Sequence, residues 1–266
     1  SLTGGGSGGG ARQADVKNVA VGGTGAGADN AAAAMPQVAA GPRMARMPKT
    51  KTSSAATART SSPAASAPAA AGSATGTHPS FVTSDQYGMW NQSPCFVYND
   101  MWGISGYSVS QTLYACSYGN WYVTATMNND NGDGHVKTYP NSHRDWDSEP
   151  AISSLQSVTS TFAETSPGTG IYEDAYDIWL NGIADSGSTE VMIWTENHGQ
   201  VPSGNQVATV TLDGRSWAVW KDGSYIAFVA SSNFTSGTMN LITFFRWIMA
   251  RAGSQATPRW ARWTTA

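Results

Sequence analysis

The segment STEVMIWTEN (residues 188–197) decides the fold, because it has the pattern of a β-strand with two different faces. Alternate side chains of a strand point to opposite sides, so Glu190, Met192 and Trp194 share one face. The intervening valine, isoleucine and threonine predict a core-facing side. The first face sets an acid beside a thioether and an indole, which is costly to bury without a polar ligand. This face is typical of carbohydrate-binding sheets, although a surface glutamate on a half-buried strand would show the same alternation.

Strand patterns continue along the second part of the chain. They are short, rich in β-branched and aromatic residues, and separated by turn residues such as Asp213-Gly214 and Asp222-Gly223. Many short strands at such spacing predict an all-β sandwich or barrel. The predicted strands are CFVYNDMW, TLYACSY, NWYVTATM, YDIWL, EVMIWT, QVATVTL, SWAVW and SYIAFVA.

One segment differs from the strands. TMNLITFFRWIMARAG is apolar for too long to be a strand, and Gly253 follows it as a helix stop. The sequence predicts one helix over about residues 238–251, packed on the sandwich.

The first 80 residues have a different composition. They contain no Trp, Tyr or Phe, and they hold 7 Lys and Arg residues against two acids, Asp15 and Asp29. A segment without large apolar groups cannot offset its ordering entropy, so residues 1–80 are expected to be a disordered tail. The predicted organisation is therefore the tail 1–80, a domain 81–253 and an aberrant C-terminal tail 254–266.

Composition also narrows the classes of partner. The bases of the tail are not interleaved with aromatic residues, which argues against nucleic acid. No apolar run has the length of a membrane span. The four histidines do not cluster with the cysteines in a metal-ligand pattern. We expect a monomer without cofactor, metal, nucleic-acid or membrane partner.

Two cysteines, Cys95 and Cys116, are the candidates for a disulfide. If residues 95–102 and 109–118 form a hairpin, their sulfurs lie roughly opposite each other. A disulfide would place the protein in an oxidising compartment. Two buried thiols are the alternative.

Six segments resemble glycoside hydrolase family 12, and they occur in the same order as in that family. The similarity is greatest to actinobacterial members and covers about residues 85–253. The segments are NDMWG (99–103), VKTYPN (136–141), AYDIWL (175–180), STEVMIW (188–194), SYIAFVA (224–230) and SSNFTSGTMNLITFFRWIMARAG (231–253).

The resemblance implies a β-jelly roll of two curved antiparallel sheets with one helix, and a secreted endo-β-1,4-glucanase. It implies that Glu190 is the nucleophile of a retaining glycosidase and that Asp177 is its assisting carboxylate. The implied substrate-binding residues are Asn99, Asp100, Trp102, Met192 and Trp194. Asp100 departs from the family, which usually has asparagine there, so it adds a third acid near the pair.

A retaining glycosidase also needs a general acid/base. The family takes it from a glutamate in a Gly-x-Glu pattern after the helix, but no Asp or Glu follows Asp222 in this sequence. Glu196 shares the face of Glu190 in a regular strand but lies about 20 Å along it. The acid/base glutamate is therefore expected to be absent from this chain.

The segment GSQATPRWARWTTA (253–266) fits neither a strand nor a helix pattern. Back-translated with GC-rich codons and read one base out of frame, it gives Leu-Pro-Gly-His-Ser-Thr-Leu-Gly-Gln-Val-Asp-Tyr-Gly, which resembles the family segment before the acid/base strand. Our hypothesis is an out-of-frame reading, which would remove a strand or two from the sandwich and reduce stability.

Three functions remain open on this sequence. The first is a β-glucan endoglucanase acting on cellulose, mixed-linkage glucan or xyloglucan. The second is a glucan-binding jelly roll without hydrolysis, since the acid is missing. The third is a structural fragment without activity.

Overall fold

The computed structural model describes residues 10–23, 78–128, 135–145, 151–183, 188–252 and 259–265. These residues contain fifteen strands, one α-helix and one 3-10 turn, Ile152–Ser154. In chain order the elements are β1 Gly10–Gly23, β2 Phe81–Thr83, β3 Met89–Gln92, β4 Cys95–Tyr98, β5 Val109–Ser117, β6 Asn120–Met127, β7 Asn141–Asp145, β8 Leu155–Thr165, β9 Tyr172–Asn181, β10 Ser188–His198, β11 Asn205–Leu212, β12 Arg215–Asp222, β13 Tyr225–Ala230, β14 Ser236–Asn240, α1 Ile242–Ala252 and β15 Arg259–Thr265.

The strands form two sheets. The six-stranded sheet has the order β14-β8-β1-β6-β5-β2, and the nine-stranded sheet has the order β11-β12-β13-β10-β9-β15-β7-β4-β3. The described pairs are antiparallel except β10 with β13, which is parallel. The predicted all-β jelly-roll sandwich with one helix is confirmed, with this single parallel pair as an addition.

The main core lies between the sheets and under α1. Val191 and Ile193, the core-facing residues of the opening segment, are fully buried in it. Trp217 is also fully buried and meets the ring of Phe244 edge to face at 5.0 Å. Such aromatic pairs add about 1 kcal/mol beyond area burial. The core therefore joins α1 to the nine-stranded sheet through rings rather than through polar contacts.

The helix begins later than its apolar pattern predicts. Residues 238–240 belong to β14, and α1 begins at Ile242. The chain changes from strand to helix after Asn240. The backbone carbonyl of Asn240 accepts a 2.8 Å hydrogen bond from Thr243 Oγ1, and its backbone N–H donates to Asp213 Oδ2. Because Met239 is buried as a strand residue against β8, periodicity alone could not separate strand from helix here.

The expectation of a disordered N-terminal tail is wrong for residues 10–23. β1 lies between β6 and β8, and its backbone pairs with both strands, for example Asp15 with Asn120 and with Ala163. An open gap at this position would leave two strand edges without partners, which is unfavourable. Backbone pairing on both sides can order a segment of poor composition, which a count of large side chains does not capture. The other residues of the range 1–77 lie outside the described part of the chain.

The expectation that residues 253–266 fit no regular element is wrong for residues 259–265. β15 pairs with β9 on one side and with β7 on the other. It fills the place between them, so the described strands of the nine-stranded sheet form a continuous ladder. Residues 253–258 and 266 lie outside the described part, and the out-of-frame reading stays a hypothesis.

The predicted hairpin between the cysteine segments is not formed, and the disulfide prediction is wrong. β4, with Cys95, pairs with β3 and β7, whereas β5, with Cys116, pairs with β2 and β6. The two cysteines thus lie in different sheets and are not joined. Burial raises the pKa of the Cys95 thiol, and the charge of Arg144 opposes this shift only in part.

Deleting residues 1–23 tests the role of β1. We expect the deletion to reduce the free energy of unfolding by about 3 kcal/mol, because it leaves the edges of β6 and β8 without a partner. Each kcal/mol lowers the melting temperature of a domain of this size by about 2–4 °C, so the melting temperature should fall by roughly 10 °C. Differential scanning calorimetry measures the change. Deletion of residues 1–9, which retains β1, is the matched control. Equal melting temperatures for both deletions and the full chain would show that β1 does not support the sandwich.

Candidate active site

The face of the nine-stranded sheet that carries Glu190 is called here the site face. It is formed by Glu190, Met192 and Trp194 of β10, Asp177 and Ala175 of β9, and Tyr225 and Ala227 of β13. Met192, Trp194, Tyr225 and Ala227 also form one buried cluster with Tyr139, separate from the main core. The sheet thus has apolar residues packed on both faces, and the carboxylates lie within the second apolar layer.

Glu190 lies at the head of β10. Its amide donates a 3.0 Å hydrogen bond to the carbonyl of Ser224, and its Cα neighbours across the sheet are Trp179 and Tyr225. Burial raises the pKa of this carboxyl group to about 7. Loss of hydration disfavours the charged form, so Glu190 exchanges its proton near neutral pH rather than near pH 4.5.

Asp177 lies on the strand next to Glu190 and on the same face. It is the Cα partner of Met192, two residues beyond Glu190, so the two acids are diagonal neighbours in the ladder. Such neighbours are about 7–8 Å apart at Cα and within reach of long side chains. Asp177 is 6% exposed. The structure therefore brings the two predicted catalytic carboxylates together.

Met192 and Trp194 form the floor beside the pair. The sulfur of Met192 accepts hydrogen bonds of 3.4 Å from the Trp194 indole and from the Tyr225 hydroxyl. Both residues are nearly fully buried. A polarisable sulfur thus fixes the orientation of two rings on the site face.

Two tyrosine hydroxyls share the electrostatic field of the acids. Burial raises the pKa of Tyr139 well above its usual value, and the charges of Asp177, Glu173 and Glu190 raise it further. Burial and the same acids raise the pKa of Tyr225. Both hydroxyls therefore keep their protons, and that of Tyr225 is donated to the Met192 sulfur.

Trp102 is positioned by a close contact between two loops. The neighbouring Gly103 donates a 2.9 Å hydrogen bond to the carbonyl of Lys137. A Cβ at Gly103 would lie 2.1 Å from the carbonyl oxygen of Val136, so this approach requires glycine. The half-buried Trp102 ring packs against the site-face cluster and meets His135 edge to face at 5.9 Å. It is thus placed beside the apolar residues of the site face as a partly exposed aromatic surface.

An acid pair flanked by indole rings is suited to polysaccharide chemistry, and the comparisons agree. A family model described as glycosyl hydrolase family 12 matches residues 93–261. The chain belongs to this family. Its relatives make it a glycosidase of the endoglucanase type.

Two curated relatives show the extent of the similarity. Endoglucanase A of Aspergillus kawachii (strain NBRC 4308) is 30% identical over 190 residues, which cover 65% of this chain and 78% of the relative. Endoglucanase S of Pectobacterium parmentieri is 28% identical over 180 residues, which cover 56% of this chain and 65% of the relative.

Solved family 12 structures share the fold. Endoglucanase cel12A of Rhodothermus marinus has a TM-score of 0.59 at 25% identity, covering 70% of this chain and 90% of that one. Trichoderma harzianum endoglucanase 3 has a TM-score of 0.61 at 23% identity, with 70% and 88% covered. A Sinorhizobium fredii xyloglucanase domain, solved with cellobiose, has a TM-score of 0.58 at 22% identity, with 71% and 90% covered.

Among the predicted substrate-binding residues, Asn99 has a packing role in this family 12 chain. It is fully buried, its side-chain amide donates to the carbonyl of Asp85, and its two oxygens accept from Gln111 Nε2. These contacts hold the loop before Trp102. Direct contact of Asn99 with substrate stays a prediction.

Asp100 is also buried, and its backbone is left-handed, with φ of 39°. This conformation is uncommon outside glycine, asparagine and aspartate. The Asp100 carbonyl accepts a 2.8 Å hydrogen bond from the Tyr139 amide, and Oδ2 accepts one of 3.4 Å from Asn141. Asp100 thus couples the Trp102 loop to Tyr139. Its contact with substrate stays a prediction.

Four further residues lie on or beside the site face and were not predicted from the sequence. Glu173 and Trp179 have the parity of Asp177 on β9, and this alternation could have identified both. Trp220 and Tyr139 pack with the site-face cluster but come from other segments. No alternation signal links them to Glu190, since only the strand order brings them near it.

The predicted orientation of Glu196 is wrong. The ladder between β9 and β10 shifts between Trp194 and Glu196, so that Glu196 pairs with Asp174. Thr195 is the extra residue of this β-bulge, which turns the following side chain to the other face. Glu196 therefore points to the interior between the sheets, and it is not an acid of the site face.

No helix in the described part of the chain is long and apolar enough to cross a membrane. Monomeric state and secretion stay predictions.

The raised pKa of Glu190 predicts a pH-dependent effect of Glu190→Gln on stability. The folded carboxyl group binds its proton up to about pH 7, whereas the unfolded one releases it near pH 4.5. Stability of the wild type therefore falls as pH rises through this window. We expect Glu190→Gln to gain, relative to wild type, on the order of 1–3 kcal/mol between pH 4 and pH 8.

Urea denaturation at the two pH values measures this gain. Asp85→Asn, at an exposed carboxylate, is the control for general effects of charge. The same stability difference between Glu190→Gln and wild type at both pH values would contradict the assignment.

Proposed function

We propose that this chain hydrolyses internal β-1,4-linkages of glucans such as cellulose, β-glucan or xyloglucan by a retaining mechanism, with Glu190 as nucleophile. The single observation that supports this most is the placement of Glu190 beside Asp177 on a face lined by indole rings. Family membership supports the class of reaction.

The chemistry would proceed in two displacements. Ionised Glu190 attacks the anomeric carbon, the bond to the aglycone oxygen breaks, and the aglycone leaves as an anion that takes its proton from water. Water then attacks the anomeric carbon of the glycosyl ester, loses a proton to the solvent, and releases the sugar and the Glu190 carboxylate. Asp177 acts on the charge of Glu190 from the neighbouring strand, and the Tyr139 and Tyr225 hydroxyls stay protonated near the reacting carboxylate.

Substrate binding would rest on the rings. Trp102 offers a half-exposed indole against the cluster of Met192 and Trp194. The flat apolar face of a glucopyranose can stack on such a ring. The preferred β-glucan is set by the loops around these rings.

The first displacement needs less general-acid catalysis when the leaving group is already acidic. We therefore expect the chain to hydrolyse 2,4-dinitrophenyl β-cellobioside, with a rate that rises with pH through about 7 as Glu190 ionises. Glu190→Gln should reduce the rate at least about 1,000-fold, because the amide is not a nucleophile. Release of dinitrophenol measures both effects.

Asp85→Asn, which changes an exposed carboxylate and keeps the backbone carbonyl that Asn99 contacts, should retain the wild-type rate. A folded Glu190→Gln variant with wild-type rate would contradict the role of Glu190. A rate that falls across the same pH range would contradict the ionised nucleophile.

A second candidate is glucan binding without efficient cleavage. One observation favours it: β15, the strand beside Asp177, reads RWARWTT and contains no carboxylate. No acid/base glutamate is thus contributed by the described strand next to the pair. In this case the rings would bind polysaccharide while natural glucans, which have poor leaving groups, would not be cleaved.

Retention on cellulose separates the two candidates. The binding function predicts that wild type and Glu190→Gln are retained equally and that neither releases reducing sugar. Trp102→Ala should weaken retention, since it removes about 1 kcal/mol or more of ring contact. Release of reducing sugar by wild type but not by Glu190→Gln would contradict this candidate and support hydrolysis.

A further inference from the structure

Three carboxylates converge away from the site face, at one end of the interior between the two sheets. They belong to Glu164 of β8, Asp174 of β9 and Glu196 of β10. One carboxylate oxygen from each lies within 4.8 Å of the other two. Asp174 is fully buried and Glu196 is 9% exposed. Glu164 is half-buried, so the group combines three formal negative charges, two of them with very little access to water.

The chain builds this cluster from the core-facing residues of its strands. Glu164 continues the series of Val158 and Phe162 on β8, and Asp174 precedes Tyr176 and Ile178 on β9. The other core-facing residues of both series are apolar, except for the buried Ser160, which accepts a hydrogen bond from the Tyr176 hydroxyl. Each thus ends in an acid at the same end of the sandwich.

The third acid reaches the cluster through the β-bulge at Thr195. The Thr195 hydroxyl donates to the carbonyl of Asp174 at 3.1 Å and approaches Glu164 Oε1 at 3.4 Å. These contacts fix the bulged residue between β8 and β9. In a regular strand Glu196 would lie on the other face, so the bulge is what delivers the third carboxylate.

The two oxygens of Glu196 differ in their environment. Oε1 accepts hydrogen bonds from Ser166 Oγ at 2.8 Å and from the Tyr172 hydroxyl at 2.9 Å. Oε2 is also excluded from solvent but has no hydrogen-bond partner among the described residues. A buried carboxylate oxygen without a partner is unfavourable, so Oε2 is the oxygen that a bound ligand would stabilise.

We propose that Glu164, Asp174 and Glu196 bind a structural Ca²⁺ ion. All three ligands are carboxylates, which hard divalent cations prefer. Ca²⁺ takes oxygen ligands at about 2.3–2.6 Å, so opposite ligands are about 5 Å apart, which accommodates the observed spread. A cation would also reduce the repulsion among the three carboxylates and supply a partner for Glu196 Oε2.

The ion would link the sheets. Glu164 belongs to the six-stranded sheet, whereas Asp174 and Glu196 belong to the nine-stranded sheet. β9 and β10 also carry Asp177 and Glu190, but on the opposite face. Bound Ca²⁺ thus stabilises the strands that hold the acid pair without contact with the reacting groups, and this inference does not depend on the proposed function.

The test uses the full chain after treatment with EDTA and removal of the chelator. Isothermal titration with CaCl₂ should show saturable binding with a stoichiometry near one, and added Ca²⁺ should raise the melting temperature. Tb³⁺ should bind in the same place and show luminescence on excitation of tyrosine, because the Tyr172 hydroxyl contacts Glu196. Ca²⁺ should displace this signal more effectively than Mg²⁺.

Glu196→Gln retains an oxygen acceptor for Ser166 and Tyr172 but removes the charge. This variant should lose Ca²⁺ binding and the thermal shift, whereas Asp85→Asn, at an exposed carboxylate, should keep both. No saturable Ca²⁺ binding by the wild type would overturn the proposal, and so would unchanged binding by Glu196→Gln. Tighter binding of Mg²⁺ than of Ca²⁺ would overturn the assignment of the ion.

Discussion

The antiparallel pairing of β9 with β10 is the constraint on which the rest of the structure depends. Its register places Asp177 diagonally beside Glu190 on the site face, and it places Tyr176 and Ile178 opposite Val191 and Ile193 in the core. One ladder therefore sets both the acid pair and the central packing. A shift by one residue would exchange the two faces, burying the acids in the main core and exposing its apolar side chains.

The same ladder contains the irregularity at Thr195, which divides β10 into two parts with different roles. Before the bulge, Glu190 shares a face with Trp194. After it, Glu196 turns to the interior and meets Asp174 and Glu164. A single extra residue thus lets one strand supply an acid to each face, with the acids of the two groups separated by the sheet.

Much of the fold and part of the site could be predicted from the sequence. The alternation of residues in β10 correctly predicted that Glu190, Met192 and Trp194 share one face of the sheet, because this half of the strand is regular. Alternation failed for Glu196, since a bulge leaves no signal in residue type. The disulfide failed because it assumed that neighbouring strands in sequence also pair in space, whereas Cys95 and Cys116 lie in different sheets.

Composition did not predict the strands β1 and β15 at the two ends of the described chain. β1 and β15 occupy inner positions in the two sheets, where the neighbouring strands offer backbone groups on both sides. Pairing of this kind depends on the main chain, so neither segment needs the alternating pattern by which strands are identified. The family resemblance, by contrast, rested on segments whose side chains build the site, and the family model agrees with it.

The central claim is that Glu190 is the nucleophile of a retaining glycosidase. The most direct measurement is mass spectrometry of the protein after incubation with 2,4-dinitrophenyl 2-deoxy-2-fluoro-β-cellobioside, whose leaving group needs no acid. We predict the added mass of one fluorocellobiosyl group, located by proteolysis on the peptide that contains Glu190 and absent from Glu190→Gln. A label on another carboxylate, or none on the folded wild-type chain, would contradict the account.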